Sequence, residues 1–272
     1  MGILNITPDS FADGGVLFDD VERAVEAGVR IADEGADIID IGGESTRPGA
    51  ARVGEKEELR RVLPVIERLA KRVQIPISID TYKARVARAA LDRGATIIND
   101  ISGLLYEPAL GAVAAASGAA LILMHTRGRS AGMYDLAVYT DPVEDVTREL
   151  GEAVDRAVRA GVSRDAIIID PGLGFAKRAE HSYDVLARLD TLAALDRPIL
   201  SGPSRKSFLK AAIGEADPSA REWGTAAVVT ASVLLGAHIV RVHGVAAMVD
   251  VVRVADKVRD AATLNSRAPN SR

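Results

Sequence analysis

Eight short apolar runs, each followed by a longer helical stretch, constrain this chain more than any other feature. The runs are GILN (2–5), ADIIDIG (36–42), IPISID (75–80), ATIIND (95–100), AALILMH (119–125), AIIID (166–170), RPILSG (197–202) and HIVRVH (238–243). None alternates strictly between apolar and polar residues, which is the pattern of parallel strands covered on both faces. Amphipathic stretches such as 19–35, 141–161 and 220–236 lie between them. Gly35, Gly94, Gly118, Gly161 and Gly236 each precede the next run, where a helix-ending glycine belongs. Eight strand–helix units in 272 residues predict an α/β protein, a single-domain (β/α)8 TIM barrel over 1–262. An open doubly wound sheet is the alternative. The polar segment 263–272 carries no apolar pattern and is expected to be a disordered tail.

Composition removes several classes of function. The formal net charge of −4 provides no basic field for nucleic acid or for an anionic membrane. With no cysteine, disulfides and thiolate metal sites are excluded. No apolar run reaches the ~18 residues of a membrane span, and no signal-peptide pattern opens the chain. The expectation is a soluble, cytoplasmic protein. The four histidines show no metal-ligand spacing; His181 and His238 read as structural or surface residues. No phosphate-binding G-x-x-x-x-G-K-[ST] loop is present.

Barrel chemistry sits at the C-terminal ends of the strands. Those ends hold Asn5, Asp40, Asp80, Asn99, His125, Asp170 and the pair Arg241 and His243. A lone polar residue there can cap the following helix. For Asp40, whose run continues to Gly42, the cap and the site role stand equally open. Arg241 and His243 are two apart on one strand and so share a side, with Gly244 behind them opening a helix. They suit a phosphate-type anion, or Arg241 pairs with a carboxylate. GPSRKSFL (202–209) puts two adjacent cations, Arg205 and Lys206, between Ser204 and Ser207. NITPDSFADGG (5–15) is a polar, Gly-rich loop that carries Phe11, and GGESTRPGA (42–50) is similar in kind. The segment 126–140 shows no motif and reads as a surface excursion.

Taken together, NITPDSFADGG, GGESTRPGA, SIDT (78–81), IND (98–100), LMH (123–125), DPGLGFAK (170–177), SRKSF (204–208) and RVH (241–243) resemble the dihydropteroate synthase family. They run in the family's order over nearly the whole chain. The resemblance implies a (β/α)8 barrel, a transferase of folate synthesis and Mg²⁺ as cofactor. The implied reaction joins hydroxymethyl-dihydropterin diphosphate to p-aminobenzoate. It also implies a homodimer and a site open to sulfonamides. By motif, Asp80, Asn99, Ile101, Met124, Asp170, Gly202, Lys206 and Arg241 correspond to the pterin site. Asn5, Arg241 and His243 correspond to the diphosphate site, with Asn5 also at the metal. Phe11, Ser45, Thr46, Arg47, Pro48, Phe175 and Ser207 correspond to the aminobenzoate site. Lys206, Arg241, His243, Asp13 and Arg47 are the implied catalytic set, and the first loop is the implied lid.

Residue chemistry fits that assignment. A pterin presents an amino group beside a ring N–H, and one carboxylate, Asp170, can accept both. Two further classes share parts of the pattern. A methyl-transferring pterin barrel would not need the SRKSF loop. A non-catalytic relative would be expected to lose members of the Asn5, Arg241 and His243 set.

Overall fold

The computed structural model describes residues 1–7, 20–45, 50–129, 132–215 and 217–267, with side chains to 262. Strand and helix alternate along the chain. The first half comprises β1 (Gly2–Asn5), α1 (Val21–Asp33), β2 (Ile39–Gly42), α2 (Glu55–Leu69), β3 (Ile77–Asp80), α3 (Ala84–Leu91), β4 (Ile97–Asp100) and α4 (Ala109–Ser117). The second comprises β5 (Ala120–Met124), α5 (Pro142–Arg159), β6 (Ile167–Asp170), α6 (Ala179–Ala187), β7 (Leu200–Ser201), the short α7 (Lys210–Ile213), α8 (Glu222–Leu234), β8 (Ile239–Val240) and α9 (Val245–Arg267). β1 to β6 form one parallel sheet in chain order, and β7 pairs with β8. Single parallel bridges, Ile169 to Ile199 and Gly2 to Val242, join the two sheets at both edges. The ring is therefore closed: a (β/α)8 barrel, as the eight units predict.

Local chemistry accounts for the helix ends. Asp20 accepts from the Arg23 N–H at 3.0 Å and starts α1. Asp141 accepts from the N–H groups of Val143 and Glu144 at 2.8 and 3.2 Å, ahead of Pro142 in the first turn of α5. Gly118 ends α4 in the left-handed conformation, φ +69°, and the other four glycines singled out above also have positive φ.

Strand alternation then divides the barrel into layers. Ile97, Ile122 and Leu200 are buried inside the ring, and the half-buried Ile38, Ile168 and Ile239 pack against them. Two residues further along the same six strands come Asn99, Met124, Gly202, Asp40, Asp170 and Arg241. A period of two keeps both sets on the inner face, so an apolar floor lies beneath a largely polar rim. The intervening residues, such as Ile39, Ile41, Ile79, Ile98, Leu121 and Ile169, are buried against the helices.

The outer helices depart from expectation only at the end of α9. The buried face of α8 comprises Thr225, Val228, Val229, Ser232 and Val233, and Val229 packs with Val242, Val245 and Met248. That face is helix-to-barrel packing. Helix α9 runs to Arg267, into the segment expected to be a disordered tail; among the described residues the last buried side chain is Ala255. Residues 268–272 lie outside the described residues. Among the described residues, no helix is long and apolar enough to cross a membrane.

Candidate active site

The polar rim opens into a cavity of about 510 Å³ at the C-terminal ends of the strands. Of the residues singled out from sequence, Asn5, Ser45, Asp80, Phe175, Gly202, Lys206, Ser207, Arg241 and His243 line it. Asn99, Ile101, Met124 and Asp170 are buried residues of the surrounding strand ends and loops. Phe11, Asp13, Thr46, Arg47 and Pro48 lie outside the described residues.

Arg241 ties three strand ends together. Its Nε donates to Asp40 Oδ2 at 2.6 Å and its Nη2 to Asp80 Oδ2 at 2.8 Å. Asn99 donates to the same Asp40 oxygen at 3.0 Å. The Arg–carboxylate reading of Arg241 is therefore realised, while the residue still faces the cavity with donors that these two bonds do not use. Asp40 is fully buried and engages no helix end, so of the two readings the capping role is the one that does not hold. Burial raises the Asp80 pKa to about 7; Arg241 pulls it down and Asp40 pushes it up.

Asp170 and Lys206 interact electrostatically at the same rim. Burial raises the Asp170 pKa, against the pull of the Lys206 charge. Burial lowers the Lys206 pKa to about 8, against the pull of Asp170. Lys206 Nζ donates to the Leu173 carbonyl at 2.7 Å and stands 4.4 Å from the centre of the Phe175 ring. Ile101, Met124 and Tyr82 cluster with Phe175 and Tyr106, giving an apolar wall beside these charges.

The turn after Asp170 requires glycine. Gly172 has φ +65°, and a Cβ there would stand 2.1 Å from the His125 carbonyl oxygen. Its N–H donates to Asp170 Oδ1 at 2.7 Å. We expect Gly172→Ala to cost about 3 kcal/mol or more. Scanning calorimetry should show this as a fall in melting temperature of at least about 6 °C.

His243 is oriented by Ser204, whose Oγ accepts from the His243 backbone N–H at 3.1 Å and meets Nδ1 at 2.9 Å. With the hydroxyl donating to Nδ1, the ring proton resides on Nε2. Arg205 behaves differently from its neighbour Lys206. Its side chain donates to Glu222 at 3.0 Å, its N–H to Thr225 Oγ1 at 3.1 Å, and its carbonyl accepts from Arg221 at 2.9 Å. Of the two adjacent cations, Arg205 is held by α8 and Lys206 is the one held beside Asp170.

Several residues at the rim gave no sequence signal. Glu44 lines the cavity, pairs with buried Lys83 and accepts from the Tyr82 hydroxyl at 3.0 Å; Lys83 also pairs with Glu58. The segment 126–140 is no surface excursion. Met133 and Ala137 are buried, Met133 and Tyr134 line the cavity, and the Tyr139 hydroxyl donates to the Ala176 carbonyl at 2.8 Å. Its lack of periodicity hid these contacts, since each serves a loop rather than a strand or helix.

A barrel with this rim defines a class, and comparison with known proteins narrows it. The sequence pattern of a family described as pterin binding enzyme matches residues 1–243. A dihydropteroate synthase of Synechocystis is 48% identical over 256 residues, covering 94% of this chain and 88% of the relative. A Yersinia pestis dihydropteroate synthase solved with a sulfonamide drug superposes with a TM-score of 0.91 at 41% identity, covering 96% of this chain and 94% of that one. A Xanthomonas albilineans dihydropteroate synthase in complex with 7,8-dihydropteroate superposes with a TM-score of 0.85 at 41% identity, covering 95% and 92%. The chain belongs to the dihydropteroate synthase family, within the pterin binding enzymes.

Proposed function

We propose that this cavity condenses 6-hydroxymethyl-7,8-dihydropterin diphosphate with p-aminobenzoate, giving 7,8-dihydropteroate and diphosphate. The observation that carries the reading is the placement of the two charged sets around one space. Asp170 and Lys206 stand beside an apolar wall, and Arg241 and His243 stand at the same rim. A flat heterocycle fits between the wall and the Asp170 carboxylate, which accepts its paired N–H donors.

The reaction breaks the bond between the methylene carbon and the diphosphate oxygen, and the electron pair leaves with the oxygen. Arg241 and the Nε2–H of His243 meet the charge that grows there. Electron release from the dihydropterin ring stabilises the carbon left behind, so departure precedes attack. The neutral amine then forms the carbon–nitrogen bond and afterwards loses a proton. Because no covalent nucleophile is required, the chain's tasks are to orient both rings and to exclude water. Phe175 and Ser207 line the part of the cavity assigned to the amine.

Mg²⁺ belongs to the same proposal. Among the described residues, no group of three histidine or carboxylate side chains could hold a metal. Asn5 offers one amide oxygen at the cavity, in the space that Gly42 leaves beside it. A single neutral oxygen suits an ion that keeps its waters and is otherwise held by the substrate's phosphate oxygens. When bound, Mg²⁺ would neutralise charge on the departing diphosphate.

A homodimer is also proposed. Trp223 and Leu234 on α8, and Val254 and Val258 one turn apart on α9, are exposed apolar side chains that a second copy would cover. Light scattering on the purified chain reads this directly.

The test of function is a diphosphate-release assay with product identification. Dihydropteroate should form only with both substrates and Mg²⁺, and a sulfonamide should compete with p-aminobenzoate alone. Diphosphate release without dihydropteroate, or competition against the pterin substrate, would sink the reading. Asp80 must be ionised to hold Arg241, and Lys206 must be protonated to stand against Asp170. We therefore expect kcat/KM to fall below about pH 7 and above about pH 8. Initial rates measured across the neutral range check this, and Asp80→Asn should flatten the acid limb.

A further inference from the structure

Lys177 is among the most buried side chains of the barrel, at 1% exposure, and the reaction above does not use it. Its Nζ stands 3.1 Å from the carbonyl oxygens of both Gly172 and Phe175, and 2.8 Å from His125 Nδ1. The other ring nitrogen of His125, Nε2, meets Glu149 at 2.9 Å. Arg127 pairs with Glu149, and the pKa of that carboxyl is lowered: burial alone would raise it, but hydrogen bonds from His125 and Arg127 outweigh burial. An ionised Glu149 requires the ring proton on Nε2, which leaves Nδ1 as an acceptor. Lys177 thus faces three acceptors, although burial lowers its pKa well below the ordinary lysine range.

These bonds belong to a larger pattern. Every carbonyl from residue 172 to residue 176 accepts from a side chain. Lys177 takes Gly172 and Phe175; Lys206 takes Leu173 at 2.7 Å; Tyr134 takes Gly174 at 3.3 Å; Tyr139 takes Ala176 at 2.8 Å. The backbone turns in alternating senses, with positive φ at Gly172, Gly174 and Ala176. The Phe175 N–H donates to the Gly172 carbonyl at 3.0 Å, but the turn forms no regular ladder, and side chains supply its remaining donors. The turn carries Phe175, and Phe175 supports Lys206.

We propose that Lys177 is a positioning residue: its buried amino group closes the turn between β6 and α6 on two carbonyls and His125, and so sets Phe175 against the cavity. The consequence for turnover rests on the proposed function; the clamp itself does not.

Lys177→Met keeps the side-chain length and removes the amino group's donors. In the intact free enzyme, backbone amide exchange over residues 172–176 should rise at least about tenfold, and the His125 ring nitrogen resonance of Nδ1 should shift. With both substrates, the KM for p-aminobenzoate should rise about tenfold, while pterin affinity changes by less than about threefold. Tyr139→Phe removes one donor from the same turn and should give a smaller change in the same direction, which keeps the idea testable if Lys177→Met does not fold. Wild-type exchange, an unmoved His125 resonance and an unchanged KM in folded variants would overturn the proposal. If the wild-type enzyme makes no dihydropteroate, the functional reading fails, while exchange and the His125 resonance still decide the clamp.

Discussion

Asp170→Asn should leave the barrel folded and weaken pterin binding by at least about a hundredfold. The fold should survive because the asparagine carbonyl can still accept the Gly172 N–H that now bonds Asp170 Oδ1 at 2.7 Å. Binding should not, because a carboxylate that accepts two parallel N–H donors becomes an amide that presents one acceptor and one donor. Hydrogen bonds to a charged partner contribute about 1.5–3 kcal/mol each. Losing the match at even one of them, with two donors then facing each other, exceeds the ~2.8 kcal/mol that a hundredfold represents. Titration calorimetry with the pterin substrate, paired with a thermal melt, separates the two effects. Near wild-type affinity in a folded variant would remove Asp170 from the recognition role.

Arg241→Met should damage both stability and turnover. The guanidinium bonds Asp40, which is fully buried, and Asp80, which is nearly so. Removing it leaves two carboxylates facing each other with no cation between them. Breaking a buried pair in this way costs about 3–5 kcal/mol. At this chain length that is a drop of roughly 6–20 °C in melting temperature. At low temperature, where the variant remains folded, kcat should still be about a hundredfold or more below wild type, since a donor to the leaving oxygen is gone. Arg241→Lys should recover part of the stability and little of the rate, because an ammonium cannot span both carboxylates in the guanidinium's planar fork. A variant that melts early yet turns over normally would confine Arg241 to a structural role.

The barrel was legible because its signal is repeated. Eight apolar runs with helix-ending glycines leave few topologies open, and the inner-face rule carries Asn99, Asp170 and Arg241 to one rim. The role of Asp40 was not legible, although it obeys the same period as Ile38 below it. A buried carboxylate and a helix cap look alike until the partner is known, and its partner Arg241 lies 201 residues away. Lys177 was hidden for a related reason. A lysine in a loop is ordinarily solvated, and only the fold shows three acceptors closing around it. The contribution of Tyr134 and Tyr139 was equally unreadable, since they hold carbonyls of a turn some forty residues on and follow no local period.

The ring is not equally strong all round. Six strands share continuous ladders, whereas the β7–β8 pair joins them through shorter sets of backbone bonds, Ile169 to Pro198 on one side and Ile3 to Val242 and Val242 to Met1 on the other. Arg241 leaves the end of β8 and grips carboxylates on β2 and β3, so it acts as a bolt thrown across the weaker seam. The group that would draw off the departing anion is thus also the fastener of the staves beside it, and tuning it for one duty alters the other.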